Sequence, residues 1–146
     1  MPLDPEPIKD ILYRTTARYL TVRPQGFEIA GRPVPLVIAR ILAFGNARTL
    51  YQARKPDCRS LDGIRSTKDR ICAQCPDLAA CTPQVRLDLL IEGQPYRLLL
   101  SYTSAKHFLL YVATLRSSGR KVNDVQTIIE VVDRATWGEL HFRAGS

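Results

Sequence analysis

All four cysteines of this 146-residue chain lie between Cys58 and Cys81, in the stretch CRSLDGIRSTKDRICAQCPDLAAC, spaced C-x13-C-x2-C-x5-C. The stretch is polar, and its larger apolar side chains are Leu61, Ile64, Ile71 and Leu78. So little burial cannot hold a segment of this length together, which leaves a bound ion as the source of order. The inner CAQC pair suits two thiolates gripping one ion from a tight turn, and Cys58 and Cys81 complete a tetrahedron around it. Zinc is the expected occupant of the set Cys58, Cys72, Cys75 and Cys81, because it suits four sulfurs and has no redox chemistry. A [4Fe-4S] cluster takes the same donors and is the less favoured alternative. A closed four-thiolate zinc site has no open position for water or substrate, so its expected role is structural.

The rest of the chain sets the frame for this segment. Its length fits a single domain with one core. The opening MPLDPEPIKD, rich in proline and charge, reads as a loose arm over 1–10, and 11–146 as one domain with the metal loop inserted at about 56–83. No apolar run is long enough to span a bilayer and the opening has no export signal, so no membrane partner is expected and the chain reads as cytoplasmic. Stable disulfides would be unusual there, which strengthens the metal reading.

Periodicity places the elements. ILYRTTARYLTV leans towards an edge strand, and FEIA, VPLVIARILAF and ARTLYQA read as strands, with Gly45-Asn46 as a break between the last two. VRLDLLIEGQPYRLLLSY alternates apolar and polar on both sides of EGQP and predicts a hairpin. TSAKHFLLYVATLRSSG changes to a helical period, with Ala105, Phe108, Leu109, Val112 and Leu115 on one face, Thr103 or Ser104 as cap and Gly119 as stop. QTIIEVVDRATWGELHFR closes the chain with a second hairpin. Strands on both sides of one helix predict a mainly β (α+β) fold, a small OB-like antiparallel barrel with one helix and an inserted four-cysteine zinc loop.

Charge supplies the functional signal. The 21 Lys and Arg exceed the 14 Asp and Glu to give a net charge of +7, and Arg outnumbers Lys sixteen to five. From Arg48 to Arg86 there are eight cations against four aspartates, so the excess gathers round the cysteine segment. Arg forks fit phosphates and stack on rings, and such a surface predicts a polyanionic partner held with a steep salt dependence. The expected nucleic-acid contacts are Arg48, Arg54, Lys55, Arg59 and Lys106 as cations, with Tyr51 and Tyr102 as stacking rings. Tyr96 and Tyr102 alternate with leucines and also fit the core, where Trp137 and Phe142 are expected. The one helix is too apolar for a duplex-reading element, so a single strand is the expected partner.

Catalysis finds no support in the motifs. GxxxxGK[ST], GxSxG, HExxH and GxGxxG are all missing, and the two histidines, His107 at the helix start and His141 on the last strand, read as separate residues away from any carboxylate motif. The chain is not expected to be an enzyme.

PDCRSLDG followed by CAQCP, then VRLDLLIEG and the helix start TSAKHF, resembles the zinc-containing OB-fold single-stranded-DNA-binding, helix-destabilising proteins of phages and mobile elements. The resemblance runs from about Gln52 to Phe142. It implies sequence-tolerant binding of single-stranded DNA, ahead of RNA, in replication, recombination or transfer, within a bacterial or phage-infected cell. The best-known phage proteins place a histidine among the zinc ligands, whereas this chain offers Cys58 in an all-cysteine set. Two alternatives accompany this reading. One is a zinc-containing interaction subunit with protein partners in a larger nucleoprotein complex of CRISPR or transposition type, and the other is an iron-sulfur accessory factor.

Overall fold

A computed structural model describes residues 17–53, 55–68 and 70–145; the expected arm over 1–10 and the expected contact Arg54 lie outside these residues. Its strands are β1 (Arg18–Tyr19), β2 (Thr21–Arg23), β3 (Gly26–Ile29), β4 (Arg32–Val34), β5 (Leu36–Gln52), β6 (Lys55–Ser60), β7 (Thr82–Ile91) and β8 (Gln94–Leu100). Helix α1 (Tyr102–Ser117) follows, then β9 (Gln126–Asp133) and β10 (Gly138–Ala144). The main sheet runs β1-β8-β7-β5-β9-β10 with β6 added on β5, and β2-β3-β4 form a small second sheet. Among the described residues no helix is long and apolar enough to cross a membrane.

Strand β5 organises the sheet. On one side it pairs with β7 over Arg40–Thr49, and on the other with β9 over Leu36–Arg40 and then with β6 over Arg48–Gln52. The break expected at Gly45-Asn46 is therefore absent, and β5 runs through both residues. Gly45 pairs opposite Arg86 of β7 and keeps ordinary strand geometry, and a Cβ added there would make only a van der Waals contact with Arg86 Nη2 at 3.4 Å. The irregularity instead falls between Ile41 and Ala43, where Leu42 bulges outwards.

The two expected hairpins form. β7 and β8 turn through Glu92 and Gly93, whose φ values of 51° and 77° make the doubly left-handed turn that matches strand twist. The alternation then buries Leu87, Leu89, Leu98 and Leu100 and sends Arg86, Asp88 and Arg97 to the other face. The sheet is not closed into the expected barrel. The two edges that would have to meet are both occupied. β8 takes β1 in parallel, while α1 covers the free edge of β10, where Leu140 N–H donates to Ser104 Oγ at 3.0 Å and His107 Nδ1 lies 3.0 Å from Leu140 O. Covering an edge in this way satisfies backbone groups that would otherwise invite another strand.

Helix α1 buries Ser104, Phe108, Tyr111, Val112 and Leu115. Leu109, expected on this face, is instead 49% exposed, and Tyr111 takes the place inside because its hydroxyl has a buried partner, Thr127 Oγ1 at 2.8 Å. Phe108 is the centre of the core, with its ring 5.1 Å from Phe44 and 5.3 Å from Phe142, both edge-on. Phe142 thus packs as expected. Trp137 lies instead in the β9–β10 turn and Tyr102 is 76% exposed, so neither is a core residue. Phe108→Ala is expected to cost about 3–5 kcal/mol of unfolding free energy, measured by urea denaturation.

Candidate functional site

The strands decide where the cysteine segment begins and ends. Cys58 on β6 lies opposite Leu50, and Thr82, next to Cys81, lies opposite Thr49, so the end of β5 holds both ends of the loop side by side. Within it Ser60, Asp62 and Gly63 build the first turn. Asp62 Oδ1 accepts the Ile64 and Arg65 N–H groups at 2.8 and 3.0 Å, and Ser60 Oγ accepts Gly63 N–H at 2.9 Å. These contacts, Arg65 N–H first, hold the Asp62 carboxyl below its ordinary pKa. Gly63 supplies a φ of 76°. The loop returns through a bridge between Arg65 and Ile71, with Cys72 N–H donating to Ile64 O at 2.7 Å. Two single-turn 3-10 segments, Cys72–Gln74 and Leu78–Ala80, then position Cys75 and Cys81, whose N–H groups donate to Cys72 O and Leu78 O.

All four thiols line one small cavity of about 20 Å3, together with Arg48, Ser66, Arg70 and Leu78. They are not drawn in to ligand contact, since the donor set whose atoms all lie within 4.8 Å of one another is His107, Glu139 and His141 and not three of the thiols. The thiols feel one another nonetheless. Burial, and then the neighbouring Cys75, Cys58 and Cys72, push the Cys81 pKa up, while Arg48 acts in the opposite direction. Hydrogen bonding to the Ser66 hydroxyl is the main influence pulling Cys58 down. Four soft donors around one small space, with a cation beside them, fit a thiolate-bound metal in number and chemistry.

Beside the loop lies a cleft of about 330 Å3. Its walls are the loop, through Arg59, Asp62 and Arg65, and the outer face of the β7–β8 hairpin, through Arg86, Asp88 and Arg97. Arg86 Nη1 donates to Leu61 O and joins the two walls; its Nε lies 3.3 Å from Asp88 Oδ1. At the rim the Arg59 guanidinium sits over the Tyr19 ring, 4.5 Å from its centre, and Tyr19 is aligned with Arg97 in the β1–β8 pairing. Four arginines against two aspartates, with a half-exposed ring alongside, make a surface suited to an anion carrying flat groups.

The residues expected to bind nucleic acid are distributed unevenly around this cleft. Arg59 lines it. Arg48 belongs to the thiol cavity. Tyr51 is exposed near the end of β5, where its hydroxyl accepts from Gln84 Nε2 at 3.3 Å, and Lys55 starts β6; neither lines the cleft. Tyr102 and Lys106 lie on the first turns of α1 and associate with each other, the ammonium 5.4 Å from the ring centre. Lys68 and Arg70 in the loop face Asp57 and Asp77 at 2.8 and 3.7 Å, which offsets part of the loop's charge. Sequence reasoning missed Tyr19, Arg65, Arg86 and Arg97. For Arg86 and Arg97 the alternation of the hairpin was a usable signal, because it puts both on the face away from the leucines.

The histidines also differ from expectation. The packing of α1 on β10 brings both to one carboxylate, with His107 Nε2 3.6 Å from Glu139 Oε1 and His141 Nε2 3.5 Å from Glu139 Oε2. This group could bind a metal ion. The signal in the sequence was Glu139-Leu140-His141, whose alternation puts both donors on one side of a strand.

Compared with known proteins, the chain matches no family model, no curated protein and no solved structure.

Proposed function

We propose that this protein binds single-stranded nucleic acid, DNA in preference to RNA, in a sequence-tolerant way, and serves replication, recombination or transfer of a phage or mobile element. The observation that carries the reading is the arginine-lined cleft between the cysteine loop and the outer face of β7–β8, with Tyr19 at its rim. Arginines would follow the phosphates while a base stacks on the ring, and neither contact depends on base identity.

The connectivity supports the same reading. Counted from β5, the five long strands of the sheet lie in the order 3-2-1-4-5, with the helix between the third and fourth. OB-folds use this order in a partly open barrel, and they bind oligonucleotides on the face of strands 2 and 3 and with the loops between strands 1–2 and 4–5. In this chain those parts are the β7–β8 face, the cysteine loop and the Arg134–Trp137 turn. Cys58, Cys72, Cys75 and Cys81 would hold a structural zinc, which when bound supplies a cross-link and no reaction chemistry. Arg48 would temper the negative charge of the thiolates.

A second reading, an interaction subunit of a nucleoprotein complex, rests on a different surface. Leu42, Phe44 and Val112 floor a groove of about 420 Å3 bordered by Arg116, Arg120 and Lys121, a match for an acidic segment with apolar anchors. Anisotropy of a labelled oligonucleotide separates the two readings, because a subunit that recognises an acidic protein segment would leave the strand unbound at low salt. A short single strand should bind and be displaced by unlabelled single strand at lower concentrations than by duplex of equal length; displacement by duplex at equal or lower concentrations would overturn the single-strand reading.

A further inference from the structure

We propose that His107, Glu139 and His141 form a divalent transition-metal site, separate from the thiols, that clasps α1 to the free edge of β10.

Three observations carry it. The first is distance. Ligand atoms bound at roughly 2.0–2.1 Å around a tetrahedral ion stand about 3.3–3.4 Å apart. Here His107 Nε2 lies 3.6 Å from Glu139 Oε1 and His141 Nε2 lies 3.5 Å from Oε2, and one ligand atom from each residue falls within 4.8 Å of the others, so an ion can be held once the side chains close in on it. The second is the state of the ring nitrogens. His107 Nδ1 is engaged by Leu140 O at 3.0 Å, so Nδ1 is the donor and Nε2, the nitrogen that faces Glu139, is the one available to an ion. Metal-bound histidines are held in this way by a carbonyl behind the ring. His141 Nε2 is shielded from solvent and has no hydrogen-bond partner, although it points at the same carboxylate.

The third is the carboxylate itself. Glu139 is buried, and Arg134 Nε and Nη2 both hold its Oε2 at 2.6 Å. Oε1 is the oxygen nearer His107 and remains for an ion, while the arginine fixes the carboxylate from behind. A set of two imidazoles and one carboxylate favours zinc, cobalt or nickel over magnesium and calcium, which prefer all-oxygen shells. Three protein donors leave a fourth position for a further ligand. None of this depends on the thiols or on nucleic-acid binding.

The chain has two histidines, which permits a test on the unaltered protein. Full-length nitrogen-15-labelled protein is stripped with chelator and titrated with zinc chloride near neutral pH. Both Nε2 resonances are followed by long-range proton–nitrogen NMR, and thiol reactivity is measured on the same samples. The expected result is a saturable shift of both Nε2 signals to metal-bound positions with both Nδ1 atoms still protonated. If neither responds, or one alone does, the proposal is overturned, whatever the thiols do. As a second measurement, His107→Gln should bind one equivalent of zinc fewer than the parent chain; unchanged stoichiometry in a folded variant would also overturn it.

Discussion

Removing metal, or replacing Cys72 with serine, is expected to disorder the 58–81 loop while the main sheet stays folded. Among the described residues the main core cluster, built round Phe27, Ile41, Leu87, Leu98, Phe108 and Ile129, includes none between Leu61 and Cys81, where Cys72 alone is buried. Of the loop's apolar side chains, Ile64 is 65% exposed and Ile71 41%. What remains is a set of turn hydrogen bonds at roughly 0.5–1.5 kcal/mol each, against about 1–2 kcal/mol of backbone entropy per ordered residue. A structural zinc, at about 10–16 kcal/mol, would reverse that balance. Hydrogen exchange gives the readout. Amides of Cys72, Cys75 and Cys81 should lose protection in the metal-free protein, while those of Leu87, Leu89 and Leu98 keep it. Unchanged loop protection in protein verified as metal-free would show that the thiols do not order this segment through a metal.

Arg59→Gln combined with Arg65→Gln should weaken oligonucleotide binding about 30- to 1,000-fold, since each lost charge-assisted contact is worth about 1–2 kcal/mol. The slope of log affinity against log salt should fall by about 1.4, at about 0.7 per phosphate contact on a single strand. Both side chains line the cleft, Arg59 also reaching Thr49 Oγ1 and the Tyr19 ring, whereas Arg86 bonds to Leu61 O and would report on loop placement as well. Thermal unfolding checks that the variant is folded, and unchanged affinity would move the binding surface elsewhere. The equivalent pair Lys55→Gln and Lys106→Gln, outside the cleft, should change affinity much less.

The parts of this fold that were legible in the sequence are those where one local rule dominates. VRLDLLIEGQPYRLLL alternates apolar and polar residues except at Leu90 and Leu99, has a turn that glycine fits, and forms that hairpin. SLDG in the cysteine segment is turn chemistry, with serine and aspartate oxygens capping backbone N–H groups and glycine taking the left-handed position. Other features depend on contacts between distant segments. Gly45-Asn46 looks like a break until Arg86 is seen to pack beside it. Leu109 is turned to solvent and Tyr111 is buried, its hydroxyl bonded to Thr127 on β9. Barrel closure is prevented by a short parallel strand from a stretch with no clear period, and the same strand delivers Tyr19 to the cleft. The histidine pair around Glu139 needs α1 to lie along β10, which periodicity within either element does not specify.

Oligonucleotide binding by the full-length, metal-replete protein at two salt concentrations is the decisive measurement for single-strand recognition. Saturable binding of a short single strand is expected at low salt, weakening steeply towards physiological salt as counterion release requires. No binding to any single-stranded oligonucleotide at low salt would contradict it.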